Sequence, residues 1–262
     1  MKKTHKFMSL IIMITVQLIV FCGHAISAQP TPLISTPTAV TPWQLYDEMN
    51  KAYERMDFAA AIMHGEKLTG QSKINASVYY NLGNAYYRNN EFGKAILNYR
   101  RGLRLSPRDE DIRHNLNFTC RIRNEKVWTN FFERTLSYFK TTELLAALIV
   151  CSLIFSILWM LYILTTSRSY YWLTLASAAV LIISGTLFFT RWQIFENNTW
   201  ATVIVDQTPV YSGPGQEYVT SFNIPEGKHV IILGADNHWY AINLPSEHLK
   251  GWLEKSNTGI EN

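Results

Sequence analysis

The stretch YYNLGNAYYRNNEFGKAILNYRRGLRLSP, residues 79–107, decides how the soluble part of this chain folds. Tyr79, Leu82, Gly83 and Tyr86 fall at the three- and four-residue spacing of one helix face, and Ala95 and Tyr99 sit four apart on a second. Gly83 and Ala95 are small enough to let two antiparallel helices approach closely, while Tyr79, Tyr86 and Tyr99 fill the space beside them. Pro107 ends the second helix, because it can neither donate the next backbone bond nor fit beside the preceding turn. An ordinary amphipathic helix pair is the alternative reading of the same positions.

The order Tyr79-x2-Leu82-Gly83-x2-Tyr86, then Ala95-x3-Tyr99, then Pro107, resembles the tetratricopeptide repeat, which implies a docking surface rather than a catalyst. A looser copy lies upstream. Ala52-Tyr53 aligns with Ala85-Tyr86 at an offset of 33, and Phe58, Ala61 and Ile62 align with Phe92, Ala95 and Ile96 at 34, with Met49 in place of the packing glycine. Thr41-Pro42-Trp43-Gln44 opens the first helix: Thr41 caps it, Pro42 suits its first position and Gln44 completes a capping box. Ser106-Pro107-Arg108-Asp109 starts a fifth helix running through Ile112 and Leu116 towards Ile122. It caps the stack, since two repeats alone bury too little apolar surface. The unit spans residues 41–125. In the resembling family the first helix of each pair lines the concave face. Its outward positions here are Tyr80, Asn84 and Tyr87, and by the offset Asp47, Lys51 and Glu54. Tyr80 and Tyr87 serve either as partner anchors or as packing against the neighbouring helix.

The ends of this unit tie it to a membrane. Residues 1–28 carry Lys2, Lys3 and Lys6, an apolar run from Phe7 to Cys22, and a small-residue cleavage site at Ala25-Ile-Ser-Ala28, the features of a secretory signal. An uncleaved anchor and lipidation at Cys22 are the alternatives to cleavage. Residues 29–40, with Pro30, Pro32 and Pro37, read as an extended linker. After a juxtamembrane segment, 126–143, come two uncharged runs, Leu144–Leu164 of 21 residues and Tyr170–Phe189 of 20, each long enough to span hydrocarbon. Trp159, Tyr162, Tyr170, Tyr171 and Trp172 gather at their connection, as interfacial aromatics do. A hairpin of spans returns the chain to the side it left. With a working signal, both soluble parts then face the periplasm, the chain residing in the cytoplasmic membrane. The loop holds only Arg168 while Arg134, Lys140 and Arg191 flank the outer side, which runs against the positive-inside rule.

Charge is unevenly spread. The formal +4 falls to +1 without the three signal lysines, so net charge gives no indication of nucleic acid, and none is expected as a partner. Residues 100–140 hold ten Lys/Arg against five Asp/Glu, and residues 200–262 hold three against seven. The basic stretch is a solvated helix face, a contact with anionic lipid, or a contact with the acidic C-terminal part. Cys22, Cys120 and Cys151 form no disulfide framework.

From Trp200 the pattern changes to short strands: Ala201–Val205, Val230–Leu233, Trp239–Leu244 and Gly251–Leu253. Turn chemistry separates them at Ser212-Gly-Pro-Gly215, Pro225-Glu-Gly227 and Ala235-Asp-Asn237. A segment of this style suits a small barrel closed on itself, 200–256, with 257–262 as a tail. The order Val210-Tyr-Ser-Gly-Pro-Gly215, Pro225-Glu-Gly227, Trp239-Tyr-Ala-Ile242 and Lys250-Gly-Trp-Leu253 resembles the bacterial SH3-like (SH3b) family, with Tyr211 where that family commonly has arginine. The resemblance implies binding of cell-wall peptides or peptide segments through Tyr211, Trp239 and Trp252. An indole at either tryptophan position is more often core.

No H-E-x-x-H, G-x-S-x-G, P-loop or C-x-x-C occurs, so no enzymatic activity, cofactor or metal is expected. The fold class is thus a multi-domain membrane protein: an all-α tetratricopeptide unit, a two-helix transmembrane hairpin and a small all-β SH3-like barrel. The whole arrangement resembles the BatE proteins of the Bacteroides aerotolerance operon. That resemblance implies a scaffold in an envelope complex for aerotolerance or stress resistance, with companions bearing von Willebrand A-type domains, a further tetratricopeptide protein and a MoxR-type ATPase. A cell-wall-binding module that positions an envelope hydrolase is the alternative.

Overall fold

A computed structural model of the protein describes residues 41–70, 74–125, 127, 131–245 and 247–261. The signal segment 1–28 and the linker 29–40 lie outside the described residues, as do residues 126 and 128–130 of the juxtamembrane segment. Leu144–Phe188 belong to one compact unit, and Val40–Glu143 with Phe189–Asn262 form another.

The second unit begins with five helices: α1 (Pro42–Glu54), α2 (Phe58–Thr69), α3 (Ala76–Arg88), α4 (Phe92–Leu105) and α5 (Glu110–Ile122). Local chemistry recurs along them with a constant step of 34 residues. The N-caps Thr41, Asn75 and Asp109 each accept a bond from the backbone N–H three residues on. Thr41 and Gln44 close the capping box. Met56, Asn90 and Asn124 stand in the left-handed region, at φ 61°, 63° and 53°, where the first helix of each pair turns over. Side-chain bonds between successive first helices keep the same step. Asn81 Nδ2 donates to Asn50 Oδ1 (2.9 Å) and Tyr46 OH (3.2 Å), and Asn115 Nδ2 to Asn84 Oδ1 (2.9 Å) and Tyr80 OH (3.4 Å). This period corrects the offset of 33: Tyr53 is the counterpart of Tyr87, not of Tyr86. The helix expected as a cap, α5, is therefore in register with α1 and α3 as a third first helix.

Packing follows from this register. Leu82, Tyr86, Ala95, Ile96, Tyr99, Ile112 and Leu116 form one buried cluster, and Leu45, Met49, Ala52, Ala61, Leu68 and Val78 a second. A Cβ on Gly83 would stand 2.6 Å from the Tyr99 ring, so the absence of a side chain at 83 is what lets α4 lie against α3.

After a short helix, α6 (Phe131–Leu136), come α7 (Thr141–Thr165) and α8 (Arg168–Phe195). They have 25 and 28 residues, and an 18-residue stretch within each reaches a mean hydropathy of 2.7 and 2.0, long and apolar enough to cross a membrane. Tyr162 and Tyr171 meet at their connection with ring centroids 5.8 Å apart.

The C-terminal part is an antiparallel sheet of β1 (Thr199–Val203), β2 (Thr208–Tyr211), β3 (Thr220–Ile224), β4 (His229–Asp236), β5 (Trp239–Leu244), β6 (Leu249–Glu254) and β7 (Thr258–Ile260). Its strand order is β3-β2-β6-β5-β4-β1-β7. Among the described residues β3 does not pair with β7, so the expected barrel is not closed. Residues 258–260, expected as tail, instead extend the sheet as β7. Ala201, Val203, Val210, Val230, Ile242, Leu244 and Leu253 are its core.

Helix α4 takes over the role of closure at this end of the sheet. Gly93 lies against Val203 and Ile204, and Gly259 against Leu97. Arg101 donates to the Ile260 carbonyl through Nε (3.0 Å) and Nη2 (2.6 Å), which occupies backbone at the last strand that a further strand would otherwise seek. Arg100 bonds Thr202 (2.8 Å), Arg123 pairs with Asp206 (2.6 Å), and Lys228 pairs with Glu125 (3.1 Å). Of the three readings of the basic stretch, contact with the acidic C-terminal part is therefore the one the fold realises at these residues. Long side chains buried at a seam exchange water for carboxylate and carbonyl partners.

Candidate functional site

With one face of the helical stack occupied by the sheet, the open cleft lies on the other side. It runs between α3 and α5 and has a volume of about 380 Å³, within the range of ligand clefts. Tyr80, Asn84 and Tyr87 line it, each half-buried. The two tyrosines pack against neighbouring rings without leaving the cleft. Tyr87 makes edge contacts with Phe92 and Phe118, at 5.6 and 6.1 Å, and Tyr80 tilts against Tyr99 at 6.4 Å, while both still face the cleft.

The polar floor is fixed by bonds from two sides. Asn84 Oδ1 accepts from Tyr99 OH (2.7 Å) and from Asn115 Nδ2 (2.9 Å), which holds the amide in one orientation. Burial raises the Tyr99 phenol above its ordinary range, so it serves as a neutral donor. Tyr86, on the buried side of α3, is likewise raised by burial and then by its hydrogen bond to Glu66.

Asp47, Lys51 and Glu54 are not part of this cleft. Asp47 and Lys51 pair with each other at 2.7 Å on the exposed side of α1, and Glu54 is exposed too. The counterparts of Tyr80, Asn84 and Tyr87 at the observed step are Tyr46, Asn50 and Tyr53, and Tyr53 reaches the cleft. His114, Phe118 and Arg88 also line it and carry the chemistry that sequence reasoning missed. The signal was present: His114 and Phe118 follow Tyr80 and Asn84 by one period. Arg88 lies 4.7 Å over the Phe58 ring, held at the rim by a cation–π contact.

The repeat-packing positions Tyr79, Leu82, Gly83, Tyr86, Ala95, Tyr99 and Pro107 lie outside this lining except for Tyr99. Leu82, Gly83, Tyr86, Ala95, Tyr99 and Pro107 are buried, and Tyr79 is half-buried with Arg101 5.9 Å over its ring.

On the sheet, Tyr211, Trp239 and Trp252 come together. Tyr211 pairs with Trp252 across β2 and β6, and its ring meets Trp239 edge-on at 5.3 Å. Strand alternation puts all three on the face opposite Leu253 and Ile242, so the tryptophans are half-buried members of an aromatic patch, outside the core cluster.

Residues 76–109 match the tetratricopeptide repeat family. The match covers the pair α3–α4, whose first helix supplies Tyr80, Asn84 and Tyr87. Such repeats generally mediate binding of protein partners. No curated protein matches the chain.

Proposed function

We propose that this protein is a non-enzymatic, membrane-anchored scaffold whose helical cleft grips a peptide segment of a partner protein. The observation that carries the reading is the open cleft of Tyr53, Tyr80, Asn84, Tyr87, His114 and Phe118, with Arg88 at its rim and, among the described residues, no carboxylate in its lining. Aromatic walls supply contact area at low entropic cost, and the cationic rim selects a segment bearing carboxylates. Helices α7 and α8 act as the membrane anchor. That both flanks of the hairpin fold into a single unit supports a hairpin with its two ends on one side. The signal segment supports placing that side in the periplasm. The resemblance to BatE supports an envelope complex for aerotolerance or stress resistance, with von Willebrand A-type domain proteins, a tetratricopeptide protein and a MoxR-type ATPase as companions.

A photo-crosslinker at Tyr87 in native membranes tests this. It should trap a defined partner, and a peptide from that partner should bind purified protein and lose at least tenfold in affinity on Tyr80→Ala/Tyr87→Ala. Unchanged peptide affinity in that variant refutes the cleft as the docking site.

The aromatic patch Tyr211, Trp239 and Trp252 favours a second reading, in which an SH3-like domain binds cell-wall peptide and positions a hydrolase. Full-length protein in detergent should then sediment with purified peptidoglycan, and Trp239→Ala should abolish it.

A further inference from the structure

A second cavity, of about 60 Å³, lies where α4, α5, the end of α8 and the sheet converge. Four guanidinium groups line it: Arg100, Arg104, Arg113 and Arg191. Arginine stays charged in proteins, so burying it requires compensating partners. Arg100, Arg113 and Arg191 are only 6%, 8% and 8% exposed. Two carboxylates, Glu133 and Glu261, face the same space, as does His229.

The carboxylates do not use up the positive charge. Glu261 is engaged by Arg100 Nη1 (3.4 Å), Thr202 Oγ1 (2.6 Å) and His229 Nε2 (3.2 Å). Burial alone would raise its carboxyl, but the facing His229 and Arg100 outweigh that and bring it to about 2, so it stays ionised. Burial, and then Arg100, lowers His229, so its ring is neutral near pH 7. The lining therefore holds four fixed cations against two carboxylates. Arg104 reaches outward to Glu196 (3.8 Å) and the Phe195 carbonyl (3.3 Å). Arg191 donates from Nε to the Phe139 carbonyl (3.0 Å) and stacks 3.8 Å over Phe195, yet its Nη1 has no hydrogen-bond partner among the described residues. Arg100 Nη2 is in the same condition. Glu196 offsets Arg104, which leaves four guanidinium groups against three carboxylates, and two buried donors without acceptors on a cavity of net positive charge mark a place for an anion that accepts several bonds at once.

We propose that this cavity is an oxyanion site that takes a phosphate group, supplied either as inorganic phosphate or as the terminal phosphate of a lipid headgroup. Size fits the class: at about 10–15 Å³ per water, the cavity holds roughly four to six water-sized atoms, room for the four oxygens of phosphate. Its negative charge complements the net positive lining, and guanidinium forks match its geometry. The site lies at the ends of the chain's apolar helices, with Arg191 in the last turns of α8 and Phe139 just before α7. Phe131 and Phe132 on α6 are 82% and 48% exposed, as side chains that enter a headgroup layer would be.

The test uses full-length protein in a phosphate-free maltoside detergent. Thermal unfolding is followed while sodium phosphate replaces sodium chloride at constant ionic strength, and separately while phosphatidic acid or a phosphate-free galactolipid is added to the micelles. At about a hundredfold excess over Kd, binding should raise Tm by roughly 5–10 °C, saturably. A rise with inorganic phosphate assigns the free anion; a rise with phosphatidic acid alone assigns the headgroup. No rise with either overturns the proposal. Arg191→Met, which keeps an unbranched apolar stem without the charge, should abolish the rise, and Arg104→Met, altering a less buried member, should weaken it at least tenfold in apparent Kd. If Arg191→Met does not fold in chloride, the Arg104→Met titration decides alone. A full rise in a folded variant overturns the assignment to this cavity.

Discussion

Replacing Gly93 by alanine separates the two adhesive surfaces of α4. A Cβ at that position would stand 2.9 Å from the Ile204 Cα and 2.9 Å from the Val203 carbonyl oxygen, both backbone, and 3.0 Å from the Glu226 Cβ. Carbon contacts settle near 3.5–4.0 Å, so the sheet must retreat by roughly 0.5–1 Å. Overpacking of this kind costs about 1–3 kcal/mol, and the bond from Gly93 N–H to Glu226 (2.8 Å) stretches with it. The helix itself gains, since alanine is better than glycine by up to about 1 kcal/mol in a helix. Global Tm is thus a poor reporter, and amide hydrogen exchange is the right one. In full-length protein in detergent, the seam amides of Val203, at the end of β1, and of Ile204, just beyond it, should exchange about 5–100-fold faster in Gly93→Ala. Amides of α3 should keep their protection or gain some. Unchanged exchange in β1 would mean that the seam does not rest on this close approach, and the account of how the open sheet is covered fails.

Other outcomes follow from single positions. Met56 holds the left-handed conformation that asparagine holds at 90 and 124, so Met56→Asn should stabilise the protein by about 0.5–1 kcal/mol in urea unfolding. Asn84→Ala leaves Tyr99 OH and Asn115 without their shared acceptor and should cost about 1–3 kcal/mol by the same measurement. Cys120 is fully buried, and burial pushes its thiol up to about 11, so a thiol reagent should leave it unmodified in the native protein and react promptly in denaturant. Acid should weaken the seam in two windows. His229 is depressed from 6.5, so an unfolded chain binds a proton there that the fold refuses, and stability declines as pH falls below 6.5. Glu261 sits at about 2 against an ordinary 4.5, so its contribution is whole above 4.5 and lost towards pH 2. Glu261→Gln should flatten the lower window in a Tm-against-pH series; an unaltered profile refutes the role assigned to the carboxylate.

The repeat was legible because helix chemistry is local. A 3.6-residue period places Tyr80, Asn84 and Tyr87 on one face whatever surrounds them, and an N-cap such as Thr41 needs only its own first turn. Asp47, Lys51 and Glu54 fell outside the cleft because the offset that grouped them with Tyr80, Asn84 and Tyr87 followed one dipeptide, Ala52-Tyr53, across the repeats. The caps at 41, 75 and 109 carried the true register. His114 and Phe118 were missed for the same reason, α5 being taken as a cap rather than a third first helix.

By itself, the sequence determined the helix pairs, the two apolar helices and four of the seven strands, since each depends on periodicity and turn residues within a few positions. Tertiary structure alone decided that the sheet stays open with α4 laid along it, and that Arg191 shares one cavity with Arg100, Arg104 and Arg113. Pairing between Arg100 and Glu261, or Arg123 and Asp206, joins residues 161 and 83 positions apart. No local pattern encodes such partners, because what selects them is the shape left over once the local elements have packed.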